Sequence, residues 1–385
     1  MALDEETFDS LLDVVRRFVD DELIPAECEV AAKDAIPASI VGQMRNLGLF
    51  GLSIPTEYGG IGLDVEEEVR VMLLLGRASP AFRSLIATNV GIGSQGIVID
   101  GTAAQKARYL PQIADGSSIG SFALTEPETG SDAGSVRTSA RRDGDVYVLN
   151  GTKRFITNAP EAGLFTVMAR TDPDVPGASG VSAFIVEAGT PGLSIGKPEH
   201  KMGQHGTHVS DVVFEDCRVP AANLIGEREG QGFKTAMRVL DKGRLGIAAA
   251  CVGFAERILD ESVAYANGRI QFGRPIADFQ LVQAMIADSR TDVIAARAMV
   301  LETARAKDAG KDVGVEASAC KLFASEMVGR VADRNVQIHG GSGYVSDYPA
   351  ERHYRDVRLY RIYEGTSEIQ RLKIGRDTLR AARES

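Results

Sequence analysis

The sequence predicts an α+β chain in three parts: helices, then an all-β insert, then helices again. Three observations predict it. In the first third, Phe8, Leu11, Leu12, Val15, Phe18, Val19 and Leu23 recur at steps of three and four, the apolar stripe of a helix. Near residue 120 the texture changes to short runs of β-branched and aromatic residues separated by turn dipeptides. After Gly232 helical spacing returns through Phe233, Met237, Leu240, Ile247, Cys251, Phe254 and Ile258.

Pro25 is expected to end the first helix, because proline cannot continue the hydrogen-bond ladder. Ile40, Val41, Met44 and Leu47 start another, stopped by Gly48. Residues 69–75, 85–99 and 103–113 are also helix-like, and 55–62 form a loop. Strands are predicted over 121–124, 136–140, 146–149, 165–169, 181–186 and 212–214, with turns at Asp143-Gly144, Asn150-Gly151 and Pro191-Gly192. The β insert therefore runs from about Ser121 to Phe214. Further helices are predicted over 279–306, 315–336 and 369–382. No internal repeat or low-complexity tract is present.

Composition narrows the function classes. At 385 residues and ~150 per domain, two or three domains are expected. Lys and Arg number 43 against 53 Asp and Glu, a net charge of −10. That balance argues against general nucleic-acid or anionic-membrane binding, which need clustered Lys and Arg. The longest apolar run, near Ile247 to Ala255, falls far short of the ~20 residues that span a bilayer. Cys28, Cys217, Cys251 and Cys320 are widely separated, so no metal site is expected and the thiols read as reduced. The acidic N-terminus is neither a signal peptide nor an Arg-rich transit peptide. A soluble cytoplasmic protein is the expectation, with a mature mitochondrial matrix protein as the alternative.

Five stretches carry candidate chemistry, and each has a plain reading beside it. Phe122-Ala-Leu-Thr-Glu-Pro-Glu-Thr-Gly-Ser-Asp132 places Thr125, Gly130 and Ser131 in a turn after a strand, where hydroxyls and free N–H groups bind flavin edges or pyrophosphate. It also reads as a polar connector. In Phe155-Ile-Thr-Asn158, Phe155 suits stacking on a flat ring and Thr157 suits bonding its edge; the plain reading is a strand with one core aromatic. In the stretch from Tyr265 to Pro275, Arg269 suits a phosphate and Phe272 an adenine, or Gly268 caps a helix and Arg269 is solvated. Gln337-Ile-His-Gly-Gly-Ser-Gly343 permits close backbone approach to a ligand, or is a helix end where His339 packs. In Arg361-Ile-Tyr-Glu-Gly-Thr-Ser-Glu-Ile-Gln-Arg371, Ser367 and Gln370 form a capping-box pattern opening the last helix. Glu364 just before it suits a buried general base, or is a surface carboxylate near a helix N-terminus.

All five, in this order and at these separations, resemble the acyl-CoA dehydrogenase family of flavoproteins. The resemblance runs nearly end to end. Glu57-Tyr-Gly-Gly-Ile-Gly-Leu63 and Gly101-Thr-Ala-Ala-Gln-Lys-Ala-Arg-Tyr-Leu-Pro111 resemble landmarks of its helical N-terminal region. Phe214-Glu-Asp-Cys-Arg-Val-Pro220 resembles the end of its β domain, and Leu240-Asp-Lys-Gly-Arg-Leu-Gly246 the start of its long C-terminal helix. The resemblance implies a helical N-terminal domain (1–119), a central β-barrel or sandwich domain (120–228) and a C-terminal four-helix bundle (229–385).

It further implies FAD as cofactor. Phe122, Leu124, Thr125, Gly130, Ser131, Phe155, Ile156 and Thr157 would line the flavin and pyrophosphate. Arg269, Phe272, Gln280, Gln337, Ile338, His339, Gly340 and Gly341 would hold the ADP half, usually from a neighbouring subunit, and Thr366 and Glu368 would also touch FAD. A shared site implies a homo-oligomer, a dimer or the common tetramer. The implied reaction is α,β-dehydrogenation of an acyl-CoA thioester to the trans-2-enoyl-CoA, with Glu364 as α-proton base and the flavin N5 accepting the β-hydride. Ser131, Asp241, Arg244 and Gly365 would contact substrate, and electrons would pass to an electron-transferring flavoprotein. A flavin oxidase on the same scaffold and a non-catalytic helical scaffold are the alternatives. Some family members carry the base on the long helix, two residues after the Asp of the LD-x-x-R pattern; here that residue is Gly243, which leaves Glu364. Departures from the common pattern are Glu128 and Thr129, Phe155 where Trp is frequent, His205 where Arg is frequent and Val209 where Thr is frequent. The chain has no Trp at all.

Overall fold

The computed structural model describes residues 3–175 and 177–384. The first helix, α1 (Glu5–Phe18), starts at Asp4, whose carboxylate accepts the Thr7 N–H at 2.8 Å. Pro25 does not end the helical run. A π-helical turn over Val19–Leu23 leads into α2 (Ile24–Lys33), and Pro25 lies in the first turn of α2, where its missing N–H is best tolerated. Then come α3 (Ala38–Asn46) and α4 (Val65–Leu75), the latter opened by an Asp64–Glu67 capping box. The expected helix over 85–99 is three pieces: α5 (Pro80–Ala87), a π-helical segment over Thr88–Gly93 and α6 (Gln95–Asp100). Helix α7 (Ala103–Ala114) opens with a Thr102–Gln105 capping box. Gln105 Nε2 also donates to the carbonyls of Ala222 and Leu224, both at 2.7 Å, which ties α7 to the far end of the β region.

The β region holds β1 (Ile119–Ala123), β2 (Ser139–Asp143), β3 (Val146–Thr157), β4 (Ala162–Arg170), β5 (Val181–Glu187), β6 (Leu193–Ile195) and β7 (Val209–Pro220). They form one mixed sheet in the order β1-β4-β2-β3-β7-β6, with β5 paired to β4. Its core includes Tyr147 and Phe184, edge to face at 5.0 Å. Asn150-Gly151 is not a turn but a bulge inside β3. Gly151 has φ +144°, and a Cβ there would sit 2.8 Å from Thr138 Cα, so glycine lets β2's approach run close. Two strands are longer than their apolar stretches indicate, because polar residues alternate outward at their ends.

The C-terminal part is α8 (Gly232–Gly268), a short hairpin of β8 (Ile270–Gln271) and β9 (Arg274–Pro275), then α9 (Gln280–Asp308), α10 (Gly314–His339), α11 (Ala350–Val357) and α12 (Ser367–Glu384). The two helical parts do not pack separately. Leu12, Val15, Met44, Val69 and Phe82 share one hydrophobic core with Ile247, Cys251, Phe254, Val300 and Val328. Small residues permit this closeness: a Cβ on Gly76 would lie 2.7 Å from Ala250 Cα, and one on Gly253 would strike the Leu73 carbonyl. Ser367 is the first residue of α12 rather than its cap. Thr366 Oγ1 accepts the Ile369 N–H at 3.3 Å instead, and Ser367 Oγ bonds Glu326 at 2.6 Å. No helix among the described residues is long and apolar enough to cross a membrane.

Candidate active site

A cavity of ≈ 560 Å³ opens between the sheet and the C-terminal helices. Its walls come from the loop after β1, the end of β3, α5, α8 and the loop before α12. It brings together eleven of the predicted residues: Phe122, Leu124, Thr125, Gly130, Ser131, Phe155, Ile156, Thr157, Arg244, Glu364 and Gly365.

The loop after β1 is held by a buried ion pair that the sequence reading missed. Lys153 Nζ donates to Glu126 at 2.8 Å and to the Leu124 carbonyl at 3.1 Å. Glu126 also accepts the N–H groups of Arg137 and Thr138, at 2.7 and 2.8 Å. Both side chains are shielded from water, and burial pushes Lys153 down to about 8 while Glu126 opposes it. The pair couples β1's exit to β3, so the 124–131 loop and Phe155 keep one relative position. Phe155 lies at φ +58° and is 55% exposed toward the cavity. An exposed aromatic in the left-handed region is a strained, open platform for a flat ligand. The hydroxyls of Thr125, Ser131 and Thr157 line the same space.

Glu364 sits opposite, also in the left-handed region at φ +52°, with Gly365 following at φ +91°. The turn is pinned from behind. Lys321 Nζ donates to the Gly365 carbonyl at 2.7 Å. Gln370 Nε2 donates to the carbonyls of Glu364 and Gly365, both at 3.2 Å. Gln370 therefore holds this turn rather than completing a capping box. Oε2 of Glu364 is buried without a hydrogen-bond partner. Burial raises its pKa, while Arg83, Lys321 and Arg244 pull it back. The Glu364 N–H has no acceptor among the described residues. Arg244 is buried and bonds Asp241.

The other predicted residues lie elsewhere in the single chain. Asp241 lines a neighbouring cavity behind Arg244. Thr366 caps α12, and Glu368 is exposed on its first turn. Arg269, Phe272, Gln280, Gln337, Gly340 and Gly341 are exposed, and Phe272 is 93% so. They gather at one end of the helices: Tyr265 stacks on His339 with ring centroids 4.0 Å apart, joining the tail of α8 to the tail of α10. His339 itself is buried, and Nδ1 meets the Asn335 carbonyl at 2.8 Å; Ile338 is buried beside it. Sequence reading missed Arg83, Lys321 and Lys153 and gave Gln370 only a capping role; Arg83 and Lys321 each stand as a charge inside an apolar stretch. Arg83 is the one charged residue between Ala78 and Ile99. No group of three His, Cys, Asp or Glu among the described residues is placed to hold a metal ion.

Comparison with known proteins bears on this geometry. The acyl-CoA dehydrogenase N-terminal, middle and C-terminal domain families match residues 5–117, 121–217 and 230–379. The chain is 46% identical to acryloyl-CoA reductase (NADH) of Anaerotignum propionicum, covering 95% of this chain and 93% of that protein. It is 42% identical to human mitochondrial short-chain specific acyl-CoA dehydrogenase, covering 98% and 91%. Among solved structures, butyryl-CoA dehydrogenase from Megasphaera elsdenii matches at 37% identity and TM-score 0.94, covering 98% and 99%. A chain solved in work on the electron transferring flavoprotein of Acidaminococcus fermentans matches at 41% and 0.94, covering 99% of each. An acyl-CoA dehydrogenase complexed with FAD from Bacillus anthracis matches at 35% and 0.92, covering 99% of this chain and 67% of that one.

Proposed function

The chain belongs to the acyl-CoA dehydrogenase family of FAD-dependent oxidoreductases that act on acyl-CoA, and on that premise we propose that it removes the α and β hydrogens of an acyl-CoA thioester with Glu364 as the base. The observation that carries this reading is the buried, unpartnered Oε2 of Glu364 at the cavity wall. A carboxylate kept from water and from hydrogen-bond donors is more basic, as removal of a weakly acidic α-proton requires.

The residues present fit FAD. Phe155 presents an exposed ring, three hydroxyls line the cavity, and a Cβ on Gly130 would meet nothing within 4 Å, so backbone there is open to a ligand. Phe122, Leu124, Thr125, Gly130, Ser131, Phe155, Ile156 and Thr157 would hold the flavin half. When bound, FAD supplies the acceptor for the β-hydride. The exposed group of Arg269, Phe272, Gln280 and residues 337–341 would hold the ADP half of a second copy, which makes the active form a homo-oligomer. Glu364 takes the α-proton onto Oε2. Its free N–H donates to the thioester carbonyl as negative charge grows there. Lys321 and Gln370 keep the turn from relaxing, so base and donor stay in register. Electron transfer to an electron-transferring flavoprotein is part of this reading, supported by the Acidaminococcus fermentans match.

The test is Glu364→Gln. The variant keeps FAD but loses bleaching of the flavin absorbance on anaerobic addition of butyryl-CoA. Wild-type bleaching in the variant would overturn the assignment of the base.

A further inference from the structure

Arg83 stands in α5 inside an apolar setting and is 5% exposed. Its Nε is buried without a partner, and no carboxylate comes within salt-bridge distance of its guanidinium among the described residues. Its side chain lines the main cavity and also a smaller extension with ≈ 30 Å³ of free space. Glu364 and Ile92 line both as well, so Arg83 stands where the two spaces meet, beside the base. The rest of the extension is apolar, through Val65, Val69, Met72 and Leu245, except for Glu68 and Lys242. Those two neutralise each other at 2.9 Å.

A lysine in such a place can shed its proton, but a guanidinium stays charged. A buried charge without a partner is costly, by several kcal/mol after relaxation. Pairing with Glu364 would remove that cost only by making the base a fixed ion-pair partner. The remaining way to balance the charge is an anion carried in by the ligand. The thioester must place its α-carbon at Glu364, so the anion belongs to the far end of the acyl group. We infer that Arg83 receives the terminal carboxylate of an ω-carboxyacyl-CoA, the monothioester of a short dicarboxylic acid. The inference rests on the dehydrogenation reading and names its substrate class. The free space sets the length. At roughly 10–15 Å³ per water-sized occupant, the extension holds two or three groups beyond the reacting carbons, which fits diacids of about four or five carbons. The chemistry is unchanged: the α-proton goes to Glu364, the β-hydrogen leaves with its electron pair to the flavin, and the terminal carboxylate stays intact.

The test measures binding apart from turnover. The FAD-loaded Glu364→Gln variant is titrated with butyryl-, succinyl- and glutaryl-CoA, reading the shift in flavin absorbance. One of the two dicarboxylic thioesters is expected to bind about 10- to 100-fold tighter than butyryl-CoA, the range of one charge-assisted hydrogen-bonded contact. Adding Arg83→Met brings that ratio to near one, and Arg83→Lys keeps part of it. Equal binding of all three thioesters, or a ratio that Arg83→Met leaves unchanged, overturns the inference. Bleaching of wild-type flavin is followed in parallel. Bleaching by butyryl-CoA with no dicarboxylic preference overturns this inference alone. A dicarboxylic preference without bleaching by any thioester upholds the Arg83 site and overturns the dehydrogenation reading.

Discussion

Gly243 faces Glu364 so closely that a Cβ built on the glycine would lie 2.5 Å from Oε2 of the carboxylate. The same Cβ would be 3.6 Å from Ile92. Position 243, in the first third of α8, and position 364, before α12, therefore compete for one volume. A side chain can reach it from either element, and here the helix side is left empty.

Gly243→Ala is the direct consequence. A methyl group cannot share that space, so Oε2 must swing away and, on the proposed mechanism, the α-proton loses its acceptor. A misplacement of about 1 Å costs on the order of 10²-fold in rate. The substitution should leave the fold intact, since alanine favours a helix interior by about 1 kcal/mol over glycine. Unaltered kcat with unaltered FAD content would show that the glycine does not set the base's position.

The pH profile follows from burial. As the proposed base Glu364 would act ionised, and burial holds its pKa above the ordinary carboxylate range. Activity should therefore rise with pH along an acid limb lying above the ordinary Glu value. Lys321→Met removes one of the cations favouring the carboxylate, so the limb should move to higher pH. Stability has the opposite sign. A carboxyl whose folded pKa is raised favours the native state most at low pH, and that contribution falls as pH climbs from the unfolded value through the folded one. Glu364→Gln removes this loss, so the variant's Tm should drop less than wild type's between acid and neutral pH. An acid limb unmoved in Lys321→Met would show that this ammonium does not act on the base.

Arg269 is exposed at the end of α8. If it meets a phosphate of FAD bound to the neighbouring copy, Arg269→Ala should weaken retention about 10- to 100-fold, the range of a charge-assisted hydrogen bond. The ratio of flavin to protein absorbance after gel filtration reads this, and the chain's lack of Trp lowers the protein background. Unchanged occupancy would place the phosphate contact elsewhere.

Local pattern carried the element order. Helical spacing in Phe8 to Leu23 and in Phe233 to Ile258, and the polar turn at Asp143-Gly144, concern neighbours in the chain. Periodicity and turn chemistry describe such neighbours well. It failed where a distant group overrides a local preference. Asn150-Gly151 has the composition of a turn, yet β7 pairs through it and makes it a bulge. Ser367 and Gln370 have the spacing of a capping box, yet Glu326 takes the serine and the Glu364–Gly365 turn takes the glutamine.

The candidate site divides in the same way. Glu364, Phe155, Thr125 and Ser131 were legible because each stands in a distinctive short stretch. Arg83, Lys321 and Lys153 were not, because nothing adjacent to them in sequence tells what they face, and Gly243 was read only as a position without a carboxylate. The sequence by itself determined the order of helical and strand segments and marked the stretches proposed to carry cofactor chemistry, since both depend on residues within a few positions of one another. Only the tertiary structure decided that an α5 arginine, an α8 glycine and the carboxylate before α12 meet in one cavity. That meeting depends on how closely α4 and α5 pack on α8, and on the small residues Gly76 and Gly253 that permit it. The charge left unpaired where they meet is a property of the packed molecule, and on the proposed reading it selects the acyl group that enters.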